Sequence, residues 1–123
     1  KVCIGPIRGD LHDIGKNLVI MMMKGKGLEV IDLGSDVDPD RFIETAIAED
    51  CDIIACSSLL TTSMNEMQRV VELSNEAGIR DKVSILVGGA PITQEFCDRI
   101  GADFYTPDAA SCARKAVEIL SAK

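Results

Sequence analysis

Short runs rich in Val and Ile alternate with longer stretches of helical period along the whole chain, and this alternation constrains the fold more than any other feature. Residues 2–7, 28–33, 52–56, 82–87 and 103–105 read as strands. Residues 15–26, 39–50, 63–77, 93–100 and 109–121 read as helices. The first helix has apolar residues at Leu18, Met21, Met22 and Gly25, and Gly25 and Gly27 end it. In the second, Asp38 is expected to cap, Pro39 sits in the first turn, and Phe42, Ile43, Ala46 and Ile47 make the stripe expected to be buried. In the third, Met64, Met67, Val70, Val71 and Ser74 share one side.

Strict strand–helix alternation demands a parallel sheet with helices on both faces. Inner strands of such a sheet are near-continuous apolar runs, as Ile53-Ile54-Ala55-Cys56 and Ile85-Leu86-Val87 are. The 123 residues make one domain, with no repeat, linker or low-complexity tract. The expected architecture is a doubly wound five-stranded α/β sheet of flavodoxin-like (Rossmann-like) order 2-1-3-4-5 with right-handed crossovers. Pro6 is expected to end the first strand early, because strand interiors avoid proline.

Thirteen basic residues against twenty acidic ones give a net charge of −7. That argues against a nucleic-acid partner and against adhesion to an anionic membrane. Aromatic residues are 3% of the chain, with no Trp, so a stacking platform for bases is excluded and the core must be aliphatic. The longest apolar run, residues 18–23, falls far short of the ~20 residues of a membrane span. The first residues read as a strand and not as a secretory signal, and with Lys1 where an initiator Met would stand the chain is expected to be a fragment or the ordered part of something longer. The five Cys (3, 51, 56, 97, 112) lie in apolar segments without a C-x-x-C pair, which points to buried thiols in the reducing cytoplasm. One His and no close Cys pair cannot build a usual zinc site.

In doubly wound sheets ligands bind at the carboxyl ends of the strands. Unusual residues collect there: Gly9-Asp10-Leu11-His12-Asp13-Ile14-Gly15 after the first strand, residues 57–63 after the third, Gly88-Gly89-Ala90-Pro91 after the fourth, and residues 105–110 after the fifth. Gly34 to Asp38, after the second, looks like an ordinary acidic loop. His12 is the one His of the chain. It could be a solvated loop residue, but a carboxylate two residues away suits a metal-ligating imidazole, whose second N–H usually bonds a carboxylate. A lone imidazole cannot enclose a bare metal ion, but it can supply one axial bond to a metal held in a macrocycle. Residues 57–63 carry five hydroxyls. Thr62 or Ser63 is expected to cap the third helix with Glu66 completing a capping box, which leaves Ser57, Ser58 and Thr61 for a ligand. The pair Gly88-Gly89 has two readings, a tight turn needing positive φ or a place where a ligand lies against bare backbone.

Together these residues form a spaced pattern: Asp10-x-His12-x-x-Gly15, then 41 residues (16 to 56), Ser57-x-Leu59, then 28 residues (60 to 87), and Gly88-Gly89. The chain thereby resembles the cobalamin (corrinoid)-binding domain of the methionine synthase and methyltransferase corrinoid protein family, over essentially its whole length. The strings Gly9 to Val19 and Leu59 to Met67 are similar to its methyl-transfer branch. The resemblance implies a cobamide bound base-off, with His12 as the lower axial ligand of cobalt and Asp10 and Ser63 relaying from the other imidazole nitrogen. Ser57 and Thr61 would hydrogen-bond the displaced nucleotide tail, Leu59 belongs to the same motif, and Gly88 and Gly89 would leave room for the tail. Gly9, Leu11, Asp13, Gly15 and Ala109 fall at positions that line corrin or tail. The implied function is a methyl carrier, not catalytic alone, between a substrate:corrinoid methyltransferase and a second methyltransferase acting on tetrahydrofolate or coenzyme M, with a reductive activase as a further partner. The implied domain plan places a small helical cap domain before residues 1–123. The alternative is the adenosylcobalamin domain of a mutase or a cobalamin-based sensor. A receiver-like signalling module would want Asp and Lys where Ser57 and Thr106 stand.

Overall fold

The computed structural model describes residues 1–9 and 14–122. Five parallel strands, β1 (Val2–Pro6), β2 (Val30–Asp32), β3 (Ile53–Ser57), β4 (Ser84–Gly88) and β5 (Phe104–Tyr105), pair in the order β2-β1-β3-β4-β5. The helices are α1 (Ile14–Gly25), α2 (Pro39–Ala48), α3 (Met64–Glu76), α4 (Gln94–Ile100) and α5 (Ala109–Ser121), with a 3₁₀ turn at Thr61–Ser63. The expected fold class and strand order are both observed. Among the described residues no helix is long and apolar enough to cross a membrane.

Side chains alternate across each strand, so each inner strand feeds two cores. Val2 and Ile4 of β1, Ile53 and Ala55 of β3 and Leu86 of β4 pack under α1 and α5, against Ile20, Met23, Cys112, Ala113 and Ala116. Cys3, Ile54, Cys56, Ile85 and Val87 face α2, α3 and α4, against Phe42, Ile43, Met67, Val70 and Phe96. Each fully buried aliphatic side chain contributes about 1.5–3 kcal/mol to holding these layers together.

β1 ends at Pro6, one residue short of the expected span, although Pro6 itself is still paired. It pairs with Ser57, Ile7 N–H donates to Ser57 O at 2.9 Å, and Val37 N–H donates to Pro6 O at 3.0 Å. The N–H that proline lacks falls on the β2 side, beyond the last residue of β2 paired with β1, so no ladder bond is lost there. The buried stripe of α1 is also shifted. Lys16, Ile20 and Met23 are buried, whereas Leu18 is 44% and Met21 69% exposed. With residues 18–23 all apolar, spacing alone did not select the face. Ile47 of α2 is 56% exposed, at the edge of the stripe made by Phe42, Ile43 and Ala46, and the helix stops at Ala48, short of the expected Asp50.

Two expected caps are absent. Asp38 and Ser63 occupy N-cap positions, but neither side chain bonds the helix it precedes. Asp38 is engaged by Arg8, and Glu66 also lies nearest to Arg8, at 3.9 Å. Thr93 and Asp108 do cap, accepting from Phe96 N–H and Ser111 N–H.

Candidate functional site

The strand parity that builds the α1–α5 core also opens a cavity at its carboxyl end. Ser57 continues the Ile53–Ala55 face and Gly88 the Leu86 face, and the two residues are register partners. Where the large side chains stop, a cavity of about 390 Å³ remains between the sheet and the first turns of α1 and α5. Ile4, Val19, Ala55, Leu86 and Cys112 give it an apolar floor, and Ser57, Lys16, Thr106 and Asp108 bring polar groups to its walls.

Of the residues singled out in the sequence, Gly15, Ser57, Leu59, Gly88, Gly89 and Ala109 line this cavity. Thr61 is exposed on the 3₁₀ turn, and Thr61, Ser63 and Gly9 are not part of the lining. Ser63 is 3% exposed and faces Gly9. Asp10, Leu11, His12 and Asp13 lie outside the described residues. Ser58, expected to be free for a ligand, is buried and turned onto its own loop: its hydroxyl donates to Leu60 O at 2.9 Å and accepts from Leu60 N–H at 3.2 Å.

The glycines at the site differ in kind. Gly89 has φ +127°, and a Cβ there would run into the carbonyl oxygen of Ser58. A Cβ on Gly88 would stand 2.8 Å from Thr106 O. Both residues therefore have to be small for the protein's own packing, and Gly89 also has the positive φ that the turn reading asks for, while both still line the cavity. Gly15 has no such reason, because a Cβ there would meet nothing within 4 Å. Its smallness leaves the cavity wall open.

Sequence reasoning missed Lys16 and the Asp32 carboxylate that pairs with it. Lys16 is 4% exposed, and its Nζ donates to Asp32 Oδ1 at 2.9 Å. Partial burial pushes the Asp32 carboxyl up, but the Lys16 bond, the Gly34 N–H and the charges of Lys16 and Lys24 together hold it below the usual carboxylate range. The acidic loop after β2 is not ordinary either, since Asp36 accepts the Gly9 N–H at 2.7 Å. The available signal was a lysine on the buried side of the first turn of α1, which has to find a charged partner. At the other wall, bonds from Ser111 hold the Asp108 carboxyl low, while burial raises the thiols of Cys56 and Cys112.

The B12 binding domain family profile matches residues 1–113. Dimethylamine corrinoid protein 3 of Methanosarcina mazei is 45% identical over 117 residues, 95% of this chain and 70% of that protein. The monomethylamine corrinoid protein of Methanosarcina barkeri superposes with a TM-score of 0.89 at 35% identity, over 96% of this chain and 57% of its own. A chain of the methanol:cobalamin methyltransferase complex MtaBC from Methanosarcina barkeri superposes with a TM-score of 0.91 at 28% identity, over 99% of this chain and 47% of its own. The chain spans only 54–55% of further dimethylamine and trimethylamine corrinoid proteins of Methanosarcina.

Proposed function

The chain belongs to the B12 binding domain family, whose cofactor is a cobalt corrinoid, and from that premise we propose that it is the methyl-carrying unit of a methyltransferase system. The observation that carries this reading is the cavity of about 390 Å³ at the carboxyl edge, faced by Ser57 and Gly88 from paired strands. Its volume lies at the low end of the roughly 300–1,000 Å³ that small-ligand sites occupy. An apolar floor suits a planar nucleotide base, and the Ser57 hydroxyl at the wall suits the polar part of a nucleotide tail.

In this reading the tail enters between α1 and α5, past Gly15, Gly88 and Ala109, and Ser57 donates a hydrogen bond to it. His12 is the lower ligand of the cobalt. Asp10 accepts the second imidazole N–H, which fixes the tautomer and makes the ring a stronger donor. Ser63 extends that relay, and its place against Gly9, one residue before Asp10, supports the assignment. The bound corrinoid supplies a cobalt centre that accepts and yields methyl groups. Gly9, Leu11 and Asp13 flank the ligand as further cofactor contacts, and Leu59 and Thr61 belong to the tail side.

The partners are a substrate:corrinoid methyltransferase, a second methyltransferase acting on tetrahydrofolate or coenzyme M, and a reductive activase. Identity of 45% to a dimethylamine corrinoid protein, against 28% to a chain of the methanol complex, favours a methylated amine as donor. A helical cap domain outside these residues would cover the upper face of the corrin.

Reconstitution tests the reading. The protein is mixed with cobalamin, desalted and examined by visible absorption, then incubated with a methylamine:corrinoid methyltransferase and its amine. Retained colour with the lower base displaced, followed by amine-dependent methylation of the cobalt, is the expected result. A colourless protein after desalting overturns it.

A further inference from the structure

The end of β2 and the loop that follows it hold the chain on both sides of residues 10–13. Before them, Gly9 N–H donates to Asp36 Oδ1 at 2.7 Å and Arg8 Nε to Asp38 Oδ1 at 2.6 Å. After them, Lys16 Nζ donates to Asp32 Oδ1 at 2.9 Å, and Asp32 is itself braced by Gly34 N–H at 2.9 Å. The bridge between Ile7 and Val37 registers this segment against the end of β1. Asp36 adopts φ +52°, a conformation that costs a non-glycine residue energy and persists only where the surroundings hold it.

The three contacts are unequal. Arg8 and Asp38 are each about half exposed, so their ion pair contributes little. The Gly9–Asp36 bond is exposed as well, so its weight lies in where it holds the backbone, whereas the Lys16 ammonium is 4% exposed and loses a bond that water cannot readily replace if Asp32 is removed.

We propose that Asp36 and the Lys16–Asp32 pair form a positioning clamp that sets how readily the His12 imidazole reaches cobalt. The proposal rests on the reading of His12 as the lower ligand. Holding residue 9 and residue 16 restrains both ends of the stretch that carries His12, and a restrained stretch loses less freedom when its imidazole binds a metal. Asp36, Asp32 and Lys16 are positioning residues, acting through the backbone that carries His12.

The test uses the whole protein loaded with cobalamin and reduced to cobalt(II). Electron paramagnetic resonance gives the ratio of imidazole-bound to imidazole-free cobalt from the nitrogen splitting of the axial signal. His12→Ala provides the unbound reference. In Asp36→Ala and in Lys16→Met the ratio should fall roughly tenfold, the low end of what outer-shell changes do to metal affinity. Asp36→Asn keeps a carbonyl oxygen for the Gly9 N–H and should restore most of the parent ratio. Far-ultraviolet circular dichroism and cofactor stoichiometry equal to the parent's establish that the compared proteins are folded, and Lys16→Met serves where Asp36→Ala is recovered poorly.

A parent ratio in both Asp36→Ala and Lys16→Met overturns the clamp while leaving His12 as ligand. Equal losses in Asp36→Ala and Asp36→Asn also overturn it, because general charge and not the amide bond is then responsible. A parent without nitrogen splitting refutes the assignment of His12, and the clamp falls with it.

Discussion

The hydroxyl oxygen of Ser63 lies 2.8 Å from the point where a Cβ on Gly9 would stand, which joins the start of α3 to the residue before the stretch proposed to carry the cobalt ligand. Gly9 also has φ +90°, where an L side chain is strained whatever the space. Gly9→Ala should therefore cost about 1–3 kcal/mol of stability in urea unfolding. Combining it with Ser63→Gly should recover the part due to contact and leave the part due to φ. Ser63→Ala alone should unfold near the parent midpoint yet shift the cobalt(II)/cobalt(I) potential, as expected for an outer member of the relay. An unshifted potential with full cofactor occupancy would remove Ser63 from it.

Gly15 and Gly89 should respond in opposite ways to enlargement. Gly89→Ala drives a Cβ into the Ser58 carbonyl and should lower stability by more than about 2 kcal/mol, with cofactor loss a mere consequence. Gly15→Leu places a good helix former in the first turn of α1 with nothing to strike, so stability should hold or rise by up to about 1 kcal/mol. Its side chain should instead narrow the cavity and release the corrinoid on desalting. Gly15→Leu that keeps a full complement of cofactor would place the tail elsewhere.

The sheet order and all ten regular elements were legible because strand and helix periods differ and the inner strands are apolar on both faces. The buried face of α1 was not, since residues 18–23 offer apolar side chains all round and only packing against α5 chooses among them. Ser57 was placed correctly at the strand end, whereas Ser58 looked equally available until its bonds to Leu60 were seen. The Asp36–Gly9 and Asp32–Lys16 contacts join residues 27 and 16 positions apart, and local pattern carries no trace of such pairings. The glycine pair fits both a turn and a ligand channel by sequence, and the contacts with Ser58 and Thr106, which add a packing reason for its smallness, could not be read from local pattern.

Asp32 sets a pH dependence. Its carboxyl is held below the usual range in the folded protein, so its contribution is present above the unfolded value near ~3.9 and lost as pH falls through the lower folded value. Asp108, held low by Ser111, adds to the same window. Asp32→Asn should flatten the fall in unfolding midpoint between about pH 5 and pH 2 without altering the neutral-to-alkaline limb. An unchanged acid limb would mean that the Lys16 bond is matched in the unfolded chain.

Cys112 reports on the cavity independently of activity. It lines the floor, is 7% exposed, and burial raises its thiol, partly offset by a bond with Thr106. The thiol is protonated at neutral pH and should react with iodoacetamide slowly, through the cavity. Cys97, buried on the opposite face of the sheet among the α4 contacts, reacts only when the protein opens. Peptide mapping by mass spectrometry should show Cys112 labelling falling in step with cobalamin occupancy. Stabilisation by bound ligand slows every reaction that requires opening. Cys97 therefore sets the general effect, and the additional slowing at Cys112 measures direct cover. Equal slowing of the two thiols would mean that the tail does not lie over Cys112, and the assignment of this cavity to the nucleotide tail would fail.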